Sequence, residues 1–219
     1  DLMLIYVPSQ KTIEDRCLLR SRSMLVKDLT RYKNRIKSFL HFHGIEIPES
    51  YGKDKAHWSK RFIDWLERIE MEEQSGKFSL NIIIEEANNL RASILNTNKK
   101  IKELSQTEPY KESVLLLRSI PGIGLITAMI IITEIETINR FTNFDQFCGY
   151  VGLIPSTHST SDNENVGDIT PRGHSVLRGA IIESAWVAAR LDPALHKSYH
   201  DYCKRMESNK AIIRIAREL

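Results

Sequence analysis

Ser119-Ile120-Pro121-Gly122-Ile123-Gly124 lies between two apolar runs, Val114-Leu115-Leu116-Leu117 before it and Leu125 to Ile132 after it. The pattern is apolar helix, Pro-Gly-Ile-Gly turn, apolar helix, which is the spelling of a helix-hairpin-helix. Pro121 cannot continue the first helix because it lacks a backbone N–H and its ring clashes with the preceding turn. Gly122 and Gly124 permit left-handed backbone and close approach. The second helix then opens with unpaired N–H groups and the positive end of its dipole. A phosphate is bound well there without any side chain. Pro121, Gly122, Ile123 and Gly124 are therefore candidates for contact with a nucleic-acid backbone. The competing expectation is a tight helix-helix corner with no ligand.

Outward from this turn, the charge is uneven. Net charge is +3 over 219 residues. From Lys11 to Lys37 there are nine basic residues against Glu14, Asp15 and Asp28, so that segment carries +6 and the remainder −3. A basic stripe on one helix suits a phosphate backbone, and it makes Arg31, Lys33, Arg35 and Lys37 candidate nucleic-acid contacts. A solvated helix face is the alternative. The longest apolar run, Leu125 to Ile132, is too short to span a membrane. Cys17, Cys148 and Cys203 are far apart. They give neither a zinc spacing nor a disulfide framework, and a reducing cytoplasm is the expected home. His196 and His200 stand one helical turn apart without a third ligand, so no metal site is expected in this chain. The chain opens on Asp1 with neither an initiator Met nor a signal peptide, and is expected to be part of something longer.

The fold expected is mainly α. Ser9 is a plausible N-cap for a long helix to about His43, with Leu18, Leu25, Leu29, Ile36 and Leu40 at helical spacing. A second helix is expected over about His57 to Glu72. A third, from about Ser79 to Leu104, carries Leu80, Ile83, Ala87, Leu90, Ile94, Thr97, Ile101 and Leu104 at alternating steps of three and four. That heptad seam points to a coiled coil between chains, or to a hairpin with the first helix. From Ser113 the chain turns more apolar and becomes a second module. Ser156 to Asp168 is expected to be a polar loop, and Leu177 to Arg190 an amphipathic helix. Ser156-Thr157-His158-Ser159-Thr160-Ser161-Asp162 is dense in hydroxyls, and a hydroxyl nucleophile needs exposure and a base or metal to take its proton. Arg172, His174 and Arg178 stand at a helix start where an anion is welcome.

Taken in order, several motifs resemble one family. They are Ile120-Pro121-Gly122-Ile123-Gly124, Gly149-Tyr150-Val151-Gly152-Leu153-Ile154-Pro155, the serine-rich loop, Gly167-Asp168-Ile169-Thr170, Arg172-Gly173-His174 and the Leu177-Arg178 helix. The set resembles the transposases of the insertion-sequence family numbered one hundred and ten, over nearly the whole chain. The resemblance implies residues 1–8 as a remnant of an N-terminal RuvC-like domain, 9–110 as a helical and coiled-coil linker, and 111–219 as the transposase domain. It implies Mg2+ held by carboxylates outside this chain, DNA and a bridge RNA as partners, a homo-oligomer, and serine attack on a phosphodiester. Where the family shows Ser-Gly, this sequence reads Thr160-Ser161. The candidate nucleophiles are Ser159, then Ser161, then Thr160. Two other readings stand beside this one: a non-catalytic helix-hairpin-helix dimer, and a junction-binding repair factor.

Overall fold

The computed structural model describes residues 6–51, 58–160 and 163–219, and for 156–160 and 163–168 the backbone alone. Two compact units form. One comprises residues 1–19 with 101–219, and the other residues 20–100.

Helix α1 (Gln10–Phe42) enters both units. Its start follows the sequence: Ser9 Oγ accepts the Thr12 N–H at 3.2 Å, which satisfies one of the orphan donors of the first turn. It ends where Gly44 N–H donates to His41 O and Ile45 N–H to Leu40 O, the paired bonds that close a helix C-terminus. Helix α2 (Lys60–Arg68) is capped by Ser59, whose Oγ accepts from Phe62 N–H at 3.3 Å. It is shorter at both ends than expected, and His57 lies outside the described residues. Helix α3 spans Gln74–Leu104.

In the 20–100 unit, Ile36 and Leu40 of α1, Phe62, Ile63 and Leu66 of α2, and Leu80, Ile84 and Ala87 of α3 form one core. The expected seam is therefore used within the chain along its first half, with Ile84 buried and the expected seam residue Ile83 only half-buried. Farther along α3, Leu90, Ile94 and Thr97 are half-buried and Leu95 is 62% exposed. Arg22 Nε donates to Asn98 Oδ1 at 2.6 Å and ties α1 to that part of α3.

The other unit holds α4 (Tyr110–Arg118), α5 (Leu125–Ile135), α6 (Phe144–Val151), strands β1 (Pro155–Thr160) and β2 (Asn163–Ile169), α7 (Ser175–Leu191), α8 (Pro193–Cys203) and α9 (Ser208–Glu218). Helix α7 is its centre. Leu177, Ala180, Ile181, Ala185 and Ala189 are buried against Met129, Ile130, Val151, Ile212 and Ile215. The alanines let neighbouring helices approach, and the branched residues fill the space between them. Trp186 of the same helix is only partly buried and packs on Tyr199 at 5.6 Å.

One expectation is corrected. The segment from Ser156 to Asp168 is not a loop but the antiparallel hairpin β1–β2, with Thr157 opposite Val166, Ser159 opposite Glu164 and Thr160 opposite Asn163. A bulge lies between Pro155 and Thr157. Strand pairing satisfies main-chain donors and acceptors whatever the side chains are, so a run of Ser, Thr and Asn adopts it without the apolar alternation that announces a strand. Among the described residues, no helix is long and apolar enough to cross a membrane.

Candidate nucleic-acid interface and hairpin site

Helix α4 ends at Arg118, and Ile123 N–H donates to Ile120 O at 3.1 Å to close the turn. Gly122 has φ +91°, and a Cβ there would collide with Ser184 O and lie 2.9 Å from Ala188 N of α7. It is glycine because the turn is pressed against α7, a packing reason and not a ligand reason. Gly124 differs. It caps α5 with φ −85° and no side-chain hydrogen bond, and a Cβ there would meet nothing within 4 Å. The first N–H groups of α5 at Leu125, Ile126 and Thr127 have no partner inside the helix. The open side of the turn is thus the Gly124 side.

Ten residues beyond Gly124 is a group that pattern reading passed over. Glu134 of α5 is 2% exposed. Its Oε2 is 3.4 Å from Arg16 Nε of α1 and 3.1 Å from His174 Nε2. Arg16 also donates from Nε to Thr133 O at 2.6 Å and from Nη2 to Glu134 O at 3.2 Å. His174 is the N-cap of α7, and its Nδ1 accepts the Leu177 N–H at 3.3 Å. A ring nitrogen that accepts carries no proton, so the network assigns the Nε2–H tautomer, donating to Glu134. Both nitrogens of His174 are therefore committed inside the protein. Tyr150 Oη donates to Glu134 O at 3.1 Å, and its ring lies 5.6 Å from that of His174.

The same cluster leads to the base of the hairpin. Arg178 Nη1 donates to Thr170 O at 2.8 Å and to Gly152 O at 3.4 Å. His174 N–H donates to Tyr150 O at 2.9 Å. Gly152 and Gly173 touch: a Cβ on Gly173 would be 2.6 Å from the Gly152 Cα. The chain entering β1 and the chain leaving β2 are clamped together at this point. Arg178 spends its guanidinium on that clamp, while Arg172 is exposed. Ser159 and Thr160 lie at the far end of β1, and Ser161 lies outside the described residues.

Glu136 ends α5 at φ +61° and is pinned there. It accepts from Tyr6 Oη at 2.8 Å, Ser9 N–H at 3.2 Å and Thr12 Oγ1 at 2.9 Å. Burial opposes its charge, but the bonds from Tyr6, Ser9 and Thr12 prevail and hold the carboxyl down to about 2. Next to it the Arg140 guanidinium stacks on Tyr6, Phe141 and Tyr150 at 4.7, 4.7 and 4.3 Å.

Arg31, Lys33, Arg35 and Lys37 lie in the 20–100 unit. Arg31 pairs with Asp28 at 2.8 Å and, with Asn34 and Arg35, lines an open groove. Arg35 stacks on Tyr32 at 4.6 Å, and Lys33 lies 5.1 Å from the Trp58 ring centroid. Lys37 is half-buried. Sequence reasoning missed Arg16, Glu134, Glu136, Arg140 and Tyr150. The available signal was Thr133-Glu134-Ile135-Glu136 at the end of an apolar run, since a carboxylate is buried only where it is paired. Among the described residues, no group of three or more His, Cys, Asp or Glu is placed to hold a metal ion, and the Glu134 carboxylate is already engaged by the Arg16 guanidinium and the His174 Nε2–H. These residues do not fit a divalent cation.

Known proteins are similar to this chain in sequence. The family model described as Transposase IS116/IS110/IS902 family matches residues 114–200, from α4 through the hairpin to α8. A putative transposase y4qE of Sinorhizobium fredii is 26% identical over 186 residues, covering 85% of this chain and 43% of the relative. A transposase for insertion sequence element IS1111A of Coxiella burnetii is 30% identical over 183 residues, covering 80% and 47%. A transposase for insertion sequence element IS1533 of Leptospira borgpetersenii is 25% identical over 177 residues, covering 78% and 49%. The chain spans about half the length of these relatives. Residues 114–200 thus match the IS116/IS110/IS902 transposase family, and most of the chain is similar to insertion-sequence transposases.

Proposed function

We propose that this chain is the DNA-handling and nucleophile-bearing part of an insertion-sequence transposase that works in the cytoplasm. The observation that carries the reading is the clamped hairpin. Within the segment matched by the family model, Arg178, the Gly152–Gly173 contact and the Glu134–His174 pair fix the base of a polar hairpin whose far end bears Ser159 and Thr160, with Ser161 next in the sequence. A fixed base with hydroxyls at the tip suits a nucleophile that must reach a phosphodiester. In the proposed step a hydroxyl oxygen attacks phosphorus, an O–P bond forms to the 5′ phosphate, and the bond to the 3′ oxygen breaks. The serine proton is lost and the departing 3′ oxygen gains one. Mg2+, on this proposal, is held by residues outside the chain.

Phosphates are taken at the α5 N-terminus and along Arg31 and Arg35, a DNA duplex and a guide RNA being the partners. The open stretch of α3 around Leu95 is the surface through which copies of the chain associate. Binding measured by anisotropy with a fluorescent duplex tests the reading. Affinity should fall steeply with salt, by orders of magnitude between low and moderate ionic strength if several phosphates are contacted. Affinity that does not change with salt would overturn it.

A further inference from the structure

In the 20–100 unit, α1, α3 and the residue before the α2 cap enclose a cavity of about 210 Å³ lined by Leu29, Lys33, Trp58, Ile63, Ala87, Asn88 and Arg91. Its chemistry is unusual for a cavity of this kind. The floor is apolar: Leu29, Ile63 and Ala87. The wall is the Trp58 indole. Two cations converge on it. Lys33 Nζ lies 5.1 Å from the Trp58 ring centroid, and Arg91 Nη1 donates to Trp58 O at 3.3 Å. Asn88, one helical turn before Arg91, adds an amide.

No carboxylate stands among the described residues that line the cavity. Burial first, and then the charges of Arg91 and Lys37, make the Lys33 ammonium easier to deprotonate than usual. Gathering like charges in a recess without a counter-charge costs stability. Protonated amines and guanidinium groups are kept together where an anion offsets the repulsion. At about 30 Å³ per water the space holds about seven waters, enough for a phosphate group with part of a flat ring beside it.

The geometry points to a subsite for an unpaired nucleotide of a nucleic-acid strand, with its phosphate between Lys33 and Arg91 and its base against the Trp58 indole. A duplex offers its phosphates on a convex surface and keeps its base faces covered. A recess with an indole wall gains its stacking energy only from a base that has left the helix. The ligand class is therefore single-stranded or looped DNA or RNA. The inference rests on the nucleic-acid reading above and adds to the basic helix a specific pocket with Asn88, Arg91 and Trp58 as members.

The test uses the 219-residue chain, a short fluorescein-labelled oligothymidine, and a labelled duplex of the same length. Lys33→Ala and Arg91→Ala should each weaken binding of the single strand about three- to tenfold and reduce the log–log salt slope by about one, leaving duplex binding within about twofold. Trp58→Ala should weaken it by about tenfold or more through lost stacking, and Trp58→Phe should retain most of it. The single strand should quench tryptophan emission of the parent, and that quench should be lost in Trp58→Phe although binding persists. Lys33→Ala removes a crowded charge, so its melting temperature should not fall, which separates lost binding from lost folding.

Parent-like single-strand binding by all of these variants, or quenching that survives in Trp58→Phe, would overturn the subsite alone. A parent that binds duplex but no single strand would do the same. Free thymidine monophosphate bound as tightly as the oligomer would reassign the pocket to mononucleotides and end the strand version. A parent that binds neither nucleic acid would sink both this inference and the function proposed above.

Discussion

Glu136 shows how one residue ties the start of the chain to α5. Its φ of +61° is costly for a side chain with a Cβ, of order 1–3 kcal/mol. Three donors, from Tyr6, Ser9 and Thr12, hold it in place. The folded carboxyl sits at about 2 against an ordinary 4.5. A depressed carboxyl contributes stability that is complete above the unfolded value and disappears as pH falls through the folded one. Stability should therefore decline between about pH 4.5 and pH 2. Glu136→Gln should be less stable than the parent at neutral pH and should flatten the slope in that window. Melting curves taken across the window check it, and a variant with the parent's slope would remove Glu136 from the account. Glu134 makes the complementary point. A carboxylate that is 2% exposed is sustained by Arg16 and His174 together, and truncating one member of such a group leaves an unpaired buried charge.

At the scale of elements, the two glycines of the α4–α5 turn do different work. Gly122 faces the α7 backbone in a left-handed conformation. Gly122→Ala should cost at least about 2 kcal/mol, combining strain with displacement of α7. Gly124 has ordinary φ and open space. Gly124→Ala should leave the melting temperature near the parent's, whereas Gly124→Val should weaken duplex binding by crowding the α5 N-terminus. Equal loss of stability in Gly122→Ala and Gly124→Ala would contradict this division. Helix α3 divides in the same way. Ile84 is buried in the core, so Ile84→Ala should cost about 2–5 kcal/mol. Leu95 is exposed, so Leu95→Glu should spare the fold and, if copies associate there, lower the mass seen by light scattering to that of a monomer. An unmodified chain that is monomeric at every concentration would rule out that surface.

Sequence periodicity made the helices legible, because burial on one face at a 3.6-residue repeat leaves a strong mark. Ser9 as the cap of α1, the inner face of α7 and the break at Pro121 could all be read from it. The hairpin could not, since its pairing is carried by main-chain bonds beneath polar side chains. The seam on α3 was visible, but its partner was not: whether Leu80 and Ala87 meet another copy or Phe62 of the same chain depends on tertiary packing. Of the candidate site, the open helix start at Gly124 and the hydroxyl-rich segment were visible as sequence. The Glu134–Arg16–His174 cluster was not, because its members are 118 and 40 residues apart along the chain and are joined only by the fold.

At the scale of the whole molecule, the chain matches about half the length of its transposase relatives, and the proposed chemistry is to be tested in a protein of the relatives' length. A serine hydroxyl is a poor nucleophile near neutral pH and needs a partner to take its proton. The decisive measurement is a denaturant-resistant protein–DNA adduct, resolved by gel, in a protein of the relatives' full length supplied with Mg2+, DNA and guide RNA. Ser159→Ala, Thr160→Ala and Ser161→Ala are compared one at a time. One of the three should abolish the adduct while leaving DNA binding within about twofold of the parent, the margin expected when a nucleophile is removed without loss of ground-state contacts. An adduct that forms in all three variants would contradict the assignment of the hairpin tip as the nucleophile.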